Sequence, residues 1–238
     1  MGWLSDRIKK NGIAVSERYS RSPVYFDLTP AGRTLIQSLG CVVPEAVHGR
    51  VLDAGAGRLS YQSLLEKYAD SVVYLDRYRS VDGLSLTGDL VNLPFADGSF
   101  NTVFCSQVLE HVPEPQKVLV EFHRILKPGG KVLLTVPHLA YLHNEPHDYY
   151  RYTHYGLQHL FTKAGFVTEE MRWSGGVLSF LGHFPSTLLL NLAWGIPGLF
   201  HFLLALNILW SRLIGWLESE DRRPKRFALN LVVIAEKE

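Results

Sequence analysis

The chain has 238 residues, of which 47% are apolar and 20% charged, with a formal net charge of +1. That length fits one α/β domain with a surplus for an insertion, and the near-neutral charge excludes the broad basic surface of a nucleic-acid binder. Two cysteines occur, Cys41 and Cys105. They stand in apolar surroundings without zinc-ligand spacing, so both are expected as reduced core thiols of a cytosolic protein.

At the start of the chain, Trp3 and Leu4 are followed at once by Asp6, Arg7, Lys9 and Lys10. This does not read as a secretory signal, and a cytoplasmic location is expected. Residues 1–37 are mixed and polar. A short helix is predicted from Thr29 to Leu39, with Thr29 as its cap and Pro30 in its first turn. A regular alternation then begins. Arg50 to Ala54 reads as a buried strand, Tyr61 to Tyr68 as a helix, Ser71 to Asp76 as a second strand and Leu84 to Thr87 as a weak third. Phe100 to Ser106 is a fourth strand. Pro115 to Leu126 is a helix with apolar positions at Val118, Leu119, Phe122, Ile125 and Leu126, stopped by Pro128-Gly129-Gly130. Lys131 to Val136 is a fifth strand, Tyr155 to Ala164 a helix closed by Gly165, and Phe166 to Trp173 and Phe227 to Glu236 are the last two strands. Short apolar strands alternating with amphipathic helices predict an open, mostly parallel sheet covered by helices.

Asp53-Ala54-Gly55-Ala56-Gly57 joins the first strand to the following helix. In an open parallel sheet the ligand site lies beyond the carboxyl ends of the strands. Gly55 and Gly57 allow a tight turn and close approach of backbone to ligand. At the end of the second strand, Asp76 suits a ribose diol. After the third, Asp89 suits an adenine amino group, with the Leu90 amide donating to the ring. A nicotinamide-binding loop wants a third glycine where Ser60 stands, so a nucleoside without a pyrophosphate fits better.

The blocks VLDAGAG, YLD, TGDLVNLPFADGSFNTVFCSQVLEHVPEP and EFHRILKPGGKVLLTVP, in this order and spacing, resemble the signature blocks of the class I S-adenosylmethionine-dependent methyltransferase superfamily. The likeness is to its type 11, small-molecule and lipid branch. It covers roughly residues 50–166. It implies a Rossmann-like seven-stranded sheet with an antiparallel last strand, and S-adenosyl-L-methionine as cofactor. It places Asp53, Gly55 and Gly57 around the methionine part, Asp76 with its neighbour Arg77 at the ribose, Asp89 and Leu90 at the adenine, and Ser106 and Gln107 at the methyl-transfer position. The expected organisation is one domain: a helical cap (1–49), a cofactor-binding core (50–173), an apolar helical insertion (174–226) and the last strand (227–238).

Methyl transfer from a sulfonium is an in-line displacement, so the protein mainly aligns the acceptor and excludes water. A base is needed when the acceptor is a hydroxyl. His138, Tyr141, His143, His147, Asp148, Tyr149, Tyr150, Arg151, Tyr152, His154 and Tyr155 crowd the loop after the fifth strand. His147 paired with Asp148 is the first candidate base; the competing reading makes this loop a polar lid. His111 is the second candidate. In some members of the superfamily a Glu-x-x-Glu-His run binds a divalent metal. Here the run is Gln107-Val108-Leu109-Glu110-His111, and the glutamine in first place weakens a hard-cation site, so no metal is assigned.

From Trp173 to Ser211 no Asp, Glu, Lys or Arg occurs. Pro197-Gly198 divides the segment into two apolar stretches, Val177 to Trp194 and Ile196 to Leu217. The expectation is a helical hairpin making peripheral membrane contact through residues 177–217. Trp194, Trp210 and Trp216 are expected at headgroup depth, and Arg212, Arg222, Arg223, Lys225 and Arg226 near anionic lipid, opposed by Glu218, Glu220 and Asp221. By topology the connection leaves the sheet at the cofactor edge, which points to a hydrophobic or lipid-linked acceptor, methylated on oxygen, at the inner membrane face. Two rival readings are a soluble small-molecule methyltransferase with the insertion as a homodimer interface, and a non-catalytic membrane-bound scaffold of the same fold.

Overall fold

The computed structural model describes residues 2–79, 81–218 and 223–238. In chain order the elements are α1 (Gly2–Tyr19), a 3-10 turn (Tyr25–Leu28), α2 (Pro30–Ala46), β1 (Arg50–Ala54), α3 (Gln62–Leu65), β2 (Ser71–Asp76), β3 (Leu86–Thr87), β4 (Phe100–Ser106), a 3-10 turn (Leu109–His111), α4 (Pro115–Ile125), β5 (Leu126–Pro137), α5 (His154–Lys163), β6 (Phe166–Ser174), α6 (Val177–Ala193), α7 (Leu199–Leu217) and β7 (Asn230–Lys237). They form two compact units, Met1–Ser38 with Trp173–Leu229, and Leu39–Arg172 with Asn230–Glu238.

The second unit is built on a seven-stranded sheet in the order β3-β2-β1-β4-β5-β7-β6. β1 pairs in parallel with β2 and β4, and β4 with β5. β7 runs antiparallel to β5, from Lys131 opposite Glu236 to Pro137 opposite Asn230. The predicted Rossmann-like sheet with a reversed last strand is therefore present. β1 and β4 are buried along nearly their whole length, as strands covered on both faces require. Val118, Leu119, Phe122 and Ile125 form the buried stripe of α4.

Several boundaries differ from the prediction. The helix expected over Tyr61–Tyr68 is the single turn α3, where only Leu65 is buried. α4 ends at Ile125 and Leu126 is already extended. Pro128 disfavours helix at the residue before it, so β5 starts five residues before the Lys131 expected. β7 starts at Asn230 because Phe227 is exposed and Ala228 closes a turn onto the Lys225 carbonyl. Cys105 is buried but Cys41 is exposed, a correction to the core thiol expected there. In the last turns of α2, Leu39, Val42, Val43 and Ala46 are buried, and Cys41 points away from them. Thr29 does cap α2, its hydroxyl accepting from the Gly32 amide at 3.1 Å.

In the first unit α1 is an element that the polar composition concealed. Its inward stripe is Ile8, Asn11, Val15 and Tyr19, at helical spacing. Val15 packs in a cluster with Leu28, Leu190, Ala193, Phe200 and Leu204. α6 and α7 form the expected hairpin, turned at Gly195 and Gly198, both at positive φ. Their buried faces mix small and polar residues, Ser179, Gly182, Ser186 and Asn191 on α6 and Asn207, Ser211 and Gly215 on α7, with the apolar Leu190, Ala193, Phe200, Leu204 and Ile214. Ser186 donates to Asn207 Oδ1 at 2.6 Å, and Asn207 Nδ2 donates to the Leu28 carbonyl at 2.5 Å. Asn11 Nδ2 donates to the Asn191 carbonyl at 2.7 Å. Glu218, past the end of α7, accepts from the amides of Leu178 and Ser179 and from the Ser179 hydroxyl, so the two ends of the hairpin are tied together. A Cβ on Gly182 would lie 2.6 Å from Ile214, so the crossing of the helices depends on that glycine.

Two expectations for this segment change. Trp194 is partly buried and packs against the cluster, edge-on to Phe200. Arg212 is paired with Asp27 at 2.7 Å, so its charge is largely engaged within the unit. Glu220, Asp221 and Arg222 lie outside the described residues. Trp210 and Trp216 are exposed. Leu190 is almost fully buried, so Leu190→Ala should cost about 2–5 kcal/mol. Urea unfolding followed by tryptophan fluorescence should report the loss, because Trp194 borders the same cluster.

Candidate active site

Within the second unit the carboxyl ends of β1, β2, β4 and β5 carry nearly every candidate named above. The turn after β1 is fixed from β2. The amides of Gly55 and Ala56 both donate to the Leu75 carbonyl, at 2.8 and 2.9 Å. The Gly57 amide donates to Asp76 Oδ2 at 2.7 Å, and Tyr78 N to Asp76 Oδ1 at 3.3 Å. Gly55 (φ +89) and Gly57 (φ +52) both occupy the left-handed region, but their uses differ. A Cβ on Gly55 would stand 2.4 Å from Val108, whereas one on Gly57 would meet only its own turn. Gly55 therefore admits the β4 loop, and Gly57 is the glycine that leaves the cradle open to a ligand.

Asp53 is buried and its Oδ2 has no hydrogen-bond partner. Burial first, and then the nearby Asp76, pushes its carboxyl up to about 8. A cationic ligand group beside it would favour the ionised form. An orphaned buried oxygen, an open glycine cradle and a carboxylate at the next strand end fit a nucleoside ligand bearing a positive charge. Asp89 is exposed and folds its carboxylate onto the Val91 amide at 3.2 Å, while Leu90 is buried beside it. Arg77 is exposed, with its guanidinium over the Tyr78 ring.

At the end of β4, Ser106 bonds Thr135 of β5 at 2.7 Å and Tyr61 at 2.9 Å. Gln107 takes a left-handed backbone (φ +58) and donates from Nε2 to Thr135 at 3.1 Å. A non-glycine residue in that region is held there by its surroundings. Tyr61 and Thr135 were not foreseen. Thr135 stands opposite Ser106 in the strand register, and a hydroxyl near the end of a ligand-facing strand was the available signal.

The loop after β5 is stitched to the turn after β4. Tyr149 N and Tyr150 N bond the Glu110 carbonyl, Tyr152 Oη the Leu109 carbonyl, and Tyr150 Oη the Pro113 carbonyl. Here the expected pairing is corrected. Asp148 does not face His147; it takes a bidentate pair from Arg151, at 2.6 and 2.7 Å, and the His143 amide at 2.7 Å. A guanidinium reaches Asp148 because Arg151 lies one helical turn on in sequence and is itself anchored to the Ala140 and Tyr141 carbonyls. His147 is exposed and its Nδ1 meets Tyr149 Oη at 3.2 Å. The carbonyl of His147, not its ring, reaches His111, accepting from Nδ1 at 2.6 Å. Burial lowers the pKa of His111.

Residues 52–134 match the family model described as a methyltransferase domain. Over 114 residues the chain is 38% identical to the demethylmenaquinone methyltransferase of Renibacterium salmoninarum, covering 43% of this chain and 45% of that protein. It is 32% identical over 113 residues to the ubiquinone biosynthesis O-methyltransferase of Pseudomonas paraeruginosa, covering 44% of each. The match thus spans less than half the length of these relatives. A solved S-adenosylmethionine-dependent methyltransferase from Thermotoga maritima, described as a possible histamine N-methyltransferase, superposes with a TM-score of 0.58 at 18% identity, covering 97% of this chain and 99% of that one. Over residues 52–134 the chain is thus similar to methyltransferase domains, and its fold is that of the solved neighbour. Asp53, Gly57 and Asp76 are placed to fit a cationic nucleoside such as S-adenosyl-L-methionine.

Two measurements test this geometry. Gly55→Ala should abolish binding of the demethylated cofactor by calorimetry, because its Cβ meets Val108; adding Val108→Ala should restore only part, since the positive φ remains strained. Arg151 holds the Asp148 carboxyl down to about 2. The folded value lies below the ordinary one, so the pair stabilises the loop fully above about pH 4 and is lost as pH falls through about 2. The carboxyl carbon-13 shift of Asp148 should move with a midpoint near 2, whereas a midpoint near 4 would mean that the pair does not form.

Proposed function

We propose that this chain transfers a methyl group from S-adenosylmethionine to an oxygen of a hydrophobic or lipid-linked acceptor at a membrane surface. The observation that carries the membrane part is the broad exposed apolar face of the hairpin. Ser186, Asn191 and Asn207 are buried in the hairpin beside a small apolar cluster, while Leu181, Phe184, Leu189, Phe202, Leu206, Leu209, Leu213 and Trp216 are exposed. Helices in lipid associate through small residues and interhelical polar bonds. α7 is long and apolar enough to cross a membrane, and only 33% of its most apolar window is buried. So large an exposed apolar face needs a covering. Two of the matched relatives are named for a menaquinone precursor and for ubiquinone biosynthesis, which agrees with a hydrophobic acceptor.

The bound cofactor supplies an electrophilic methyl group on a sulfonium. The chain's own part is to align and to dry the site. Ser106, Thr135 and Tyr61 form a fixed hydroxyl network at the end of β4 and β5 that orients a polar group arriving there. The loop from His138 to Tyr155 covers the turn after β4. When the acceptor is a hydroxyl, its proton passes to a ring on the rim of this loop. His147, exposed and held by Tyr149, is the candidate acceptor of that proton, without help from Asp148.

The test has two arms. Membrane and polar extracts incubated with the protein and isotopically labelled cofactor should yield a labelled product in the lipid fraction, and His147→Ala should slow its formation at unchanged cofactor affinity. The intact chain should float with liposomes in high salt, and replacement of residues 177–217 by a short Gly/Ser turn should abolish flotation. A compact dimer that does not float would instead favour the interface reading of the hairpin.

A further inference from the structure

The turn after β4 and the loop after β5 meet at a group of side chains that the hydroxyl network does not use. The Glu110 side chain is completely buried and neither of its oxygens has a hydrogen-bond partner. A buried carboxylate left in this way is costly unless a cation or donors compensate it. His111 Nε2 lies 3.6 Å from Glu110 Oε1, and His143 Nε2 lies 3.8 Å from the same oxygen. The three donor atoms fall within 4.8 Å of one another, and the two imidazoles meet edge to face at 4.9 Å.

The outer contacts of these rings matter as much as the distances. His111 gives its Nδ1–H to the His147 carbonyl, which turns the lone pair of Nε2 toward Glu110. Nδ1 of His143 lies between Asp148 Oδ2 at 3.5 Å and Arg151 Nη2 at 3.3 Å, so Nε2 is again the nitrogen presented to the carboxylate. Imidazoles that bind metals are oriented through their second nitrogen in this manner. Asp148 also neutralises Arg151 at 2.6 Å, so a cation at Glu110 would not face an unpaired positive charge.

We propose that Glu110, His111 and His143 hold one divalent first-row transition-metal ion. Two ligands about 2.1 Å from an ion stand about 3.4 Å apart at the tetrahedral angle, so the present separations need only a small inward rotation of the rings. Magnesium and calcium favour oxygen donors throughout. Two imidazoles and one carboxylate suit zinc, iron(II), cobalt(II) or manganese(II) instead. The donor set also differs from a linear acidic run, because Gln107 is turned away to Thr135 and the third ligand comes from the distant loop. Three protein ligands leave coordination positions for water or an acceptor oxygen, whose pKa the ion would lower. The ion site stands apart from the identity of the acceptor, and its test does not read methyl transfer.

The full chain is titrated with cobalt(II) and followed by its visible absorption. One equivalent should bind, with intensities of low coordination number, and zinc should displace it. His143→Gln and Glu110→Gln should each weaken binding by at least about tenfold, since even the outer partners of such ligands cost that much. His159→Gln, a substitution of an exposed histidine on α5, should leave it unchanged. Calorimetry with the demethylated cofactor reports whether each variant is folded. If Glu110→Gln fails that check, His143→Gln decides alone, because His143 sits at a partly exposed loop position. Absence of cobalt or zinc binding by the unaltered chain, or binding undiminished in the His143 variant, overturns the proposal.

Discussion

The carbonyl of Leu75 accepts hydrogen bonds from two successive amides of the turn after β1, and much of the site depends on that one oxygen. It pins the glycine turn against β2, so the next amide, that of Gly57, arrives at the carboxylate of Asp76. The turn cannot close over its own strand, and the cradle stays open on the side away from Val108. The cost is borne at Asp53, whose side chain is buried behind the turn with one oxygen unpaired. A protein that kept this arrangement without a ligand would be storing an electrostatic penalty for no return. Its presence is the best physical argument that the cradle is used.

How much of this was legible in the sequence depends on how local the cause is. β1, β2 and β4 were read to the residue, because a buried parallel strand is a short apolar run and each one here ends in a turn signal. The helix caps at Thr29 and the stop at Gly165 were equally local. α1 was missed because its inward stripe mixes Ile8 and Val15 with Asn11 and Tyr19, and it is held by α6, some 170 positions away in sequence. The one-turn α3 was overread for the opposite reason: Leu64 and Leu65 suggest an amphipathic helix, but only Leu65 finds a core to enter.

The active-site loop shows a further limit. Its crowd of histidines and tyrosines marked it as functional, yet neighbours in sequence suggested a His147–Asp148 pair that does not form. Adjacent side chains on an extended loop point apart, and Arg151 competes for the carboxylate with two donors in a fixed fork. What the sequence could not supply was the pairing across the loop, which brings His143 to Glu110 and the carbonyl of His147 to His111. The cofactor residues suffered less, since each lies at the end of a strand whose direction the pattern already set. Gly55 is the exception: its role is to admit Val108, a contact visible only once β1 and β4 are side by side.

The place of β7 in the sheet has a consequence for how the chain is made. β7 lies between β5 and β6, and it follows the apolar hairpin in the chain. During synthesis, therefore, β5 presents an open edge for about a hundred residues, from Pro137 to Asn230, while α6 and α7 emerge with their apolar faces uncovered. Non-local strand closure of this kind is slow, and unpaired edges and bare apolar surface invite association with other chains. A nascent chain that can lay its hairpin on a bilayer before the final strand arrives removes one of those two hazards early. On the proposed membrane reading, translation near a bilayer would act as an order of assembly, with the helices sheltered first and the sheet sealed last.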